Sequence, residues 1–179
     1  MIGDTILRGS YASSPDRTYR ARITTELQKR GAVGVTAPFQ GNGSTAQALA
    51  EAKFDGGFQV AIVELGTNDF EGNVPASTFK TSYGQLLDKI RSTSPSAALI
   101  CVGIWRPVRF GADYRSAIAD SCATRGGKYR AIGNIYDGVE TRGPAGRPAA
   151  GGISDDEKPN DFGHSEIADR ILEIIDDGR

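Results

Sequence analysis

Histidine occurs once in these 179 residues, tryptophan once and cysteine twice. One histidine and two widely separated cysteines offer no metal-ligand cluster, so no bound metal is expected. Long apolar runs are missing as well. No stretch approaches the ~20 residues that cross a bilayer, and residues 1–30 lack the apolar core of a signal peptide. Neither sign of charge dominates, with 21 Lys and Arg against 22 Asp and Glu. No basic cluster forms, which removes the electrostatic case for nucleic acid or an anionic membrane as partner. No glycine-rich phosphate loop follows the first expected strand, and with it goes the case for a flavin or nucleotide. No organic cofactor is implied.

What remains is the composition of an ordinary folded domain, 39% hydrophobic and 24% charged. No repeat or linker divides it, so residues 1–179 are expected to form one domain. The two cysteines, Cys101 in an apolar run and Cys122 in a helical stretch, read as free and buried, because isolated bridges are rare inside cells. Only Met1 and Ile2 precede the first motif, fewer than the about five residues of a typical strand. The first strand therefore reads as clipped, and the compartment stays open.

Strand and helix patterns alternate along the chain, which predicts a parallel sheet covered by helices on both faces. Ser14-Pro15-Asp16 is a helix start, with a capping residue before proline, and Gly31 is its stop. Residues 32–37, with Val33, Val35 and Thr36, predict the second strand, and 45–54 an alanine-rich helix. Phe58 to Leu65 reads as a strand buried on both faces. Residues 76–93 carry Phe79, Tyr83, Leu86, Leu87 and Ile90 at helical spacing. A strand over 97–104, a helix over 114–124 and a last strand over 129–135 follow. The Gly-, Pro- and Arg-rich segment 138–154 predicts a long surface loop, and Ile167, Ile171, Leu172, Ile174 and Ile175 give the final helix its apolar face.

Four short motifs punctuate this pattern. Gly3-Asp4-Thr5-Ile6 opens the chain, and Gly43-Ser44-Thr45-Ala46-Gln47 follows the second expected strand. Gly66-Thr67-Asn68-Asp69 closes the longest apolar run, and Pro159-Asn160-Asp161-Phe162-Gly163-His164 leads the last helix. Taken singly, each is a turn, a polar loop or a solvated acidic run. In this order and over nearly the whole chain, they resemble the SGNH (GDSL-type) esterases and lipases. The resemblance implies a three-layer α/β/α sandwich with a five-stranded parallel sheet in flavodoxin-like order. Ligands of such sheets sit beyond the carboxyl ends of the strands. It further implies a hydroxyl nucleophile at residue 5, an oxyanion hole from Gly43, Asn68 and the residue-5 N–H, and Asp155 orienting a base at position 158. The implied partner is a small acyl ester, which could be carried on a sugar.

Two positions depart from the family pattern. Thr5 stands where the family has serine; it keeps a hydroxyl, but its methyl stiffens χ1 and crowds the attack position. Lys158 stands where the family has its catalytic histidine. An ordinary lysine titrates near ~10.4, about three units above a useful base, and Asp155, Asp156 and Glu157 beside it favour the ammonium. His164, the only histidine, aligns with the family's structural histidine; in a rival register it is the base, paired with Asp161. Trp105 and Arg106 follow the fourth strand, where Trp105 either lines an acyl or sugar pocket or packs on the core. Arg106, Arg109 and Arg115 are candidates for binding an anionic group. An impaired ester hydrolase or acyltransferase and a non-catalytic binding protein that keeps the esterase pocket are the two functions left open.

Overall fold

The computed structural model describes residues 1–31, 33–149 and 152–177. Five strands, β1 (Ile2–Gly3), β2 (Phe39–Gln40), β3 (Val60–Glu64), β4 (Ala98–Val102) and β5 (Lys128–Arg130), form a parallel sheet in the order β2-β1-β3-β4-β5. Among the described residues, eight α-helices cover it: α1 (Thr5–Arg8), α2 (Tyr19–Gln28), α3 (Thr45–Glu51), α4 (Thr67–Glu71), α5 (Ala76–Thr93), α6 (Ala112–Ala123), α7 (Gly133–Asp137) and α8 (Asp161–Asp177). The central strands are apolar on both sides, as a doubly covered parallel sheet requires. Ala61, Val63, Leu99 and Cys101 face α3, α5 and α6, whereas Ile62, Ile100 and Val102 face α1, α2, α7 and α8. This is the expected α/β/α sandwich in flavodoxin-like strand order.

Several boundaries differ from the sequence pattern, each for a local reason. Pro15–Arg17 is only a 3-10 turn, because the Ser14 hydroxyl donates to Asp16 Oδ1 rather than capping a helix. The helix begins at Tyr19, where Thr18 Oγ1 accepts from the Ala21 N–H at 3.1 Å. The second strand lies at Phe39–Gln40 and not over 33–37, because β1 offers only Ile2 and Gly3 as partners; Ala32 lies outside the described residues. The run expected as a strand over 129–135 ends at Arg130, and Ile135 and Tyr136 are instead buried by α7. Within 138–154 a short turn, Val139–Thr141, is followed by an antiparallel pair of strands, β6 (Pro148–Ala149) and β7 (Gly152–Ile153).

The cysteines are not free. Cys101 on β4 and Cys122 on α6 are both fully buried and joined by a disulfide, with Cα atoms 6.1 Å apart. The strand face that carries Leu99 and Cys101 packs against α6, so the pairing follows from the sandwich rather than from spacing along the chain. Among the described residues, no helix is long and apolar enough to cross a membrane, and no group of metal-binding side chains occurs.

Candidate functional site

The loops after β1, β2, β3 and β4 meet at the carboxyl edge of the sheet and are tied to one another by hydrogen bonds. Asp4 N–H donates to Glu64 O at 3.1 Å, joining the ends of β1 and β3. Thr67 Oγ1 accepts from the Trp105 N–H at 3.0 Å, joining the loops after β3 and β4. Asp69 is 2% exposed, and its Oδ2 accepts from Thr45 N at 2.9 Å and Thr45 Oγ1 at 2.8 Å. That contact anchors α3, which a capping box between Ser44 and Gln47 also closes.

Thr5 is the first residue of α1 and half-buried, and Asp4 caps this helix by accepting from the Ile6 N–H at 3.0 Å. Asn68, at the start of α4, donates from Nδ2 to Gly41 O at 3.3 Å and to Gly43 O at 3.1 Å. The side chain thus holds the Gly41–Gly43 loop against α4, and both of its N–H groups point at loop carbonyls. Gly43 is closely approached: a Cβ would lie 2.7 Å from Phe39 Cζ and from Gln47 Oε1, so these side chains would have to shift to admit one.

Lys158 is half-buried, with its ammonium 3.5 Å from Glu71 Oε1. It also acts on Asp4, whose pKa it draws down in part, so the fourth motif reaches the first. Arg106 pairs with the same Glu71 and, at 3.2 Å, with Glu157. Asp155 Oδ1 accepts from the backbone N–H groups of Glu157 at 2.8 Å and Lys158 at 2.7 Å. It therefore fixes the backbone at position 158 and leaves the ammonium to Glu71. Glu71 escaped the sequence pattern; an acidic residue three places after Asn68, on the same short helix, was its only signal.

His164 lies elsewhere. It is fully buried, its Nδ1 accepts from the Tyr19 N–H at 3.3 Å, and Nε2 contacts Ser10 O at 3.2 Å, the geometry of an Nε2–H tautomer. Burial brings its pKa down to about 4, against the raising effect of the Ser10 carbonyl. With both ring nitrogens engaged by backbone, His164 joins α8 to α2, and the geometry offers it no proton from Thr5. Asn160, rather than Asp161, caps α8: its Oδ1 accepts from the Phe162 and Gly163 N–H groups, both at 3.0 Å. Asp161 instead receives Ser13 N at 2.7 Å and Ser13 Oγ at 2.5 Å.

Trp105 needs a correction as a pocket wall. It is 1% exposed, packs edge-on to Tyr136, and donates from Nε1 to Glu157 O at 2.7 Å. It fixes the 157–158 loop from beneath and offers no face to a ligand. Arg115 does not face a ligand either. Its guanidinium donates to the carbonyls of Arg106, Pro107, Val108 and Phe110.

A further buried group lies at the ends of β1 and β3, one residue before Thr5. Asp4 and Glu64 are both fully buried, and their carboxyls interact. Asp4 Oδ2 has no hydrogen-bond partner among the described residues, and two carboxyls in contact favour holding one proton between them; the Leu7 and Asp4 backbone N–H groups also reach the Glu64 carboxyl. The Tyr19 hydroxyl from α2 lies against Glu64, and the Tyr83 hydroxyl from α5 is buried within reach of its charge. Burial pushes Asp4 up to about 6. Burial, then the Asp4 charge, holds Glu64 well above the usual carboxylate range. Glu64 was hidden because it ends an apolar run otherwise read correctly as a strand.

The model of the GDSL-like lipase/acylhydrolase family matches residues 1–165. No curated protein matches the chain. Among solved structures, a two-domain esterase active on acetylated mannans superposes with a TM-score of 0.73 at 19% identity. That match covers 98% of this chain, which spans 47% of that esterase. The psychrotrophic esterase EstA from Pseudoalteromonas sp. gives 0.70 at 13% identity, covering 98% and 96% of the two chains. A family two carbohydrate esterase from Clostridium thermocellum, in complex with cellohexaose, gives 0.68 at 17% identity, covering 99% and 62%. These likenesses are likenesses of fold.

Proposed function

Because the chain belongs to the GDSL-like lipase/acylhydrolase family, we propose that it is an ester hydrolase or acyltransferase for small acyl esters, weakened at two positions of its own site. The Thr5 hydroxyl oxygen bonds to the acyl carbon as its proton passes to solvent water, the acyl C–O bond to the alcohol breaks, and the alkoxide departs as it is protonated. Water or a second alcohol then releases the acyl group from Thr5. The developing oxyanion is received by the N–H groups of Gly43 and residue 5 and by Asn68, which must first release the longer of its two bonds, that to Gly41 O. Asp155 positions residue 158 through its backbone. Lys158, an ammonium paired with Glu71, can return a proton to the departing alkoxide but cannot take one from Thr5. Attack is therefore the slow step. The buried Cys101–Cys122 bridge suits an oxidising compartment.

The observations that support this reading are the Lys158–Glu71 and Asn68–Gly43 contacts, which α4 joins because it carries both Glu71 and Asn68. The same contacts favour a second reading. An ammonium in place of a base, with both Asn68 N–H groups engaged, is what a binding protein that keeps an esterase pocket would show. Hydrolysis of p-nitrophenyl acetate separates the two. Slow turnover that disappears in Thr5→Ala supports the enzyme; equal rates in the chain and in Thr5→Ala remove residue 5 as nucleophile and leave the binding reading.

A further inference from the structure

A cleft of about 620 Å³ opens beside the Glu71–Lys158 contact, walled on that side by Arg106 and Glu157. Three guanidiniums, those of Arg106, Arg109 and Arg142, line it against two carboxylates, Asp137 and Glu157. Their partners leave a positive surplus. Arg106 is neutralised by Glu71 and Glu157, and Asp137 is taken up by the Val108 N–H at 3.2 Å and by the charge of Arg115. Arg109 and Arg142 have no ion pair among the described residues. Arg109 lies 4.9 Å from the Phe110 centroid. Arg142 lies 4.4 Å from that of Tyr136 and donates to Tyr136 O at 2.8 Å and Asp156 O at 2.6 Å, which leaves only its remaining N–H groups for a ligand.

The segment that carries Arg109 is held firmly. Arg115 binds four of its carbonyls, and the Phe110 N–H closes a turn on Pro107 O at 3.0 Å. Phe110 nevertheless stays 48% exposed. An exposed ring and the Arg109 guanidinium on a pinned wall, facing an Arg142 whose charge no carboxylate neutralises, are preorganised for a ligand that is both planar-faced and negative. A long hydrocarbon tail would bury those charges without compensation, which is costly.

We propose that this cleft is the subsite for the alcohol part of the ester, and that this part carries a carboxylate or phosphate on a sugar-like ring. The proposal rests on the ester-hydrolase reading for its orientation, with the acyl group toward Thr5 and the anion toward Arg109 and Arg142. A charge-assisted contact of this kind is worth about tenfold in affinity, and salt weakens it because the cleft is open.

Two measurements test the proposal. The first is binding, by calorimetry or NMR titration, of the unesterified methyl glucuronoside, glucose 6-phosphate and methyl glucoside, which needs no turnover. The second is KM for the acetyl esters of the same three compounds. At low salt the charged compounds should bind, and their esters show KM, about tenfold tighter than the neutral one. The preference should shrink in about 0.5 M salt and disappear in Arg109→Gln, a position that makes no ion pair among the described residues and lies over the Phe110 ring. A preference for one charged compound over the other identifies carboxylate or phosphate as the anion. Selective binding of charged compounds without turnover of any ester would uphold the subsite and sink the esterase reading. Turnover with no preference for charge, or a preference untouched by Arg109→Gln, would overturn the subsite while the esterase reading stands.

Discussion

Replacing Glu64 with glutamine should change the dependence of stability on pH. In the fold Glu64 keeps its proton far above its ordinary value of 4.5, and Asp4 keeps its own up to about 6 from 3.8. An acid whose pKa is raised by folding leaves the folded chain with more protons than the unfolded one. Its contribution is therefore intact below the unfolded pKa and is lost as pH rises toward the folded value. The loss is about 1.4 kcal/mol per pH unit for each proton of difference. For Asp4 it is complete near pH 6; for Glu64 it continues above that. A glutamine at position 64 can donate to Asp4 permanently and has nothing to ionise. Between pH 6.5 and 8.5 the variant should gain on the parent as pH rises, at a slope of at most about 1.4 kcal/mol per unit for the one proton of difference. Urea unfolding of both proteins across that range reads the difference directly. Groups common to both chains, including the Met1 amine, lowered to about 6, and His164, lowered to about 4, largely cancel in the comparison. The groups facing the pair are Tyr19, Tyr83, Lys158 and Glu71, and they too are unchanged. Parallel stability curves would show that Glu64 is ionised in the fold and that no proton is shared with Asp4.

Two further outcomes follow from the same contacts. Reducing the Cys101–Cys122 bridge, which spans 21 residues, should cost about 3 kcal/mol through the unfolded chain and lower the melting temperature by roughly 6–12 °C; an unchanged melting temperature under reductant would mean that the thiols are not bridged in solution. Asn68→Ala should lower ester turnover by about 10²–10³-fold, with a modest loss of stability because the Gly41–Gly43 loop is released. Full turnover in that variant would reduce Asn68 to a loop clasp.

The long elements were legible because their packing repeats along the chain. The helix α5 runs Ala76–Thr93 as its apolar spacing predicted, and β3 and β4 lie inside the apolar runs that announced them. What the sequence hid was set by partners distant along the chain. The second strand moved to Phe39–Gln40 because only two residues of β1 were there to pair with it. Ile132 and Ile135 looked like strand residues but meet the sheet from the side, through α7. Cys101 and Cys122 meet only once β4 and α6 have stacked. At the site, the motif order located the loops, since the first three motifs end or follow β1, β2 and β3 and the fourth leads α8. The roles within those loops were less visible. Trp105 is sealed in the core, Glu71 holds the ammonium at position 158, and Gly163 is demanded by packing. A Cβ on Gly163 would stand 2.2 Å from Thr141 O.

The central claim is that the esterase site is otherwise assembled and lacks only an unhindered nucleophile and a base. Its most direct test is the rate of p-nitrophenyl acetate hydrolysis by Thr5→Ser with Lys158→His, measured beside each single variant and the parent chain. The double variant should exceed the parent by several orders of magnitude and each single variant should recover little, because nucleophile and base act as a unit. A double variant as inert as the parent, on acetyl esters both charged and neutral, would contradict the claim and leave this fold as a binding protein.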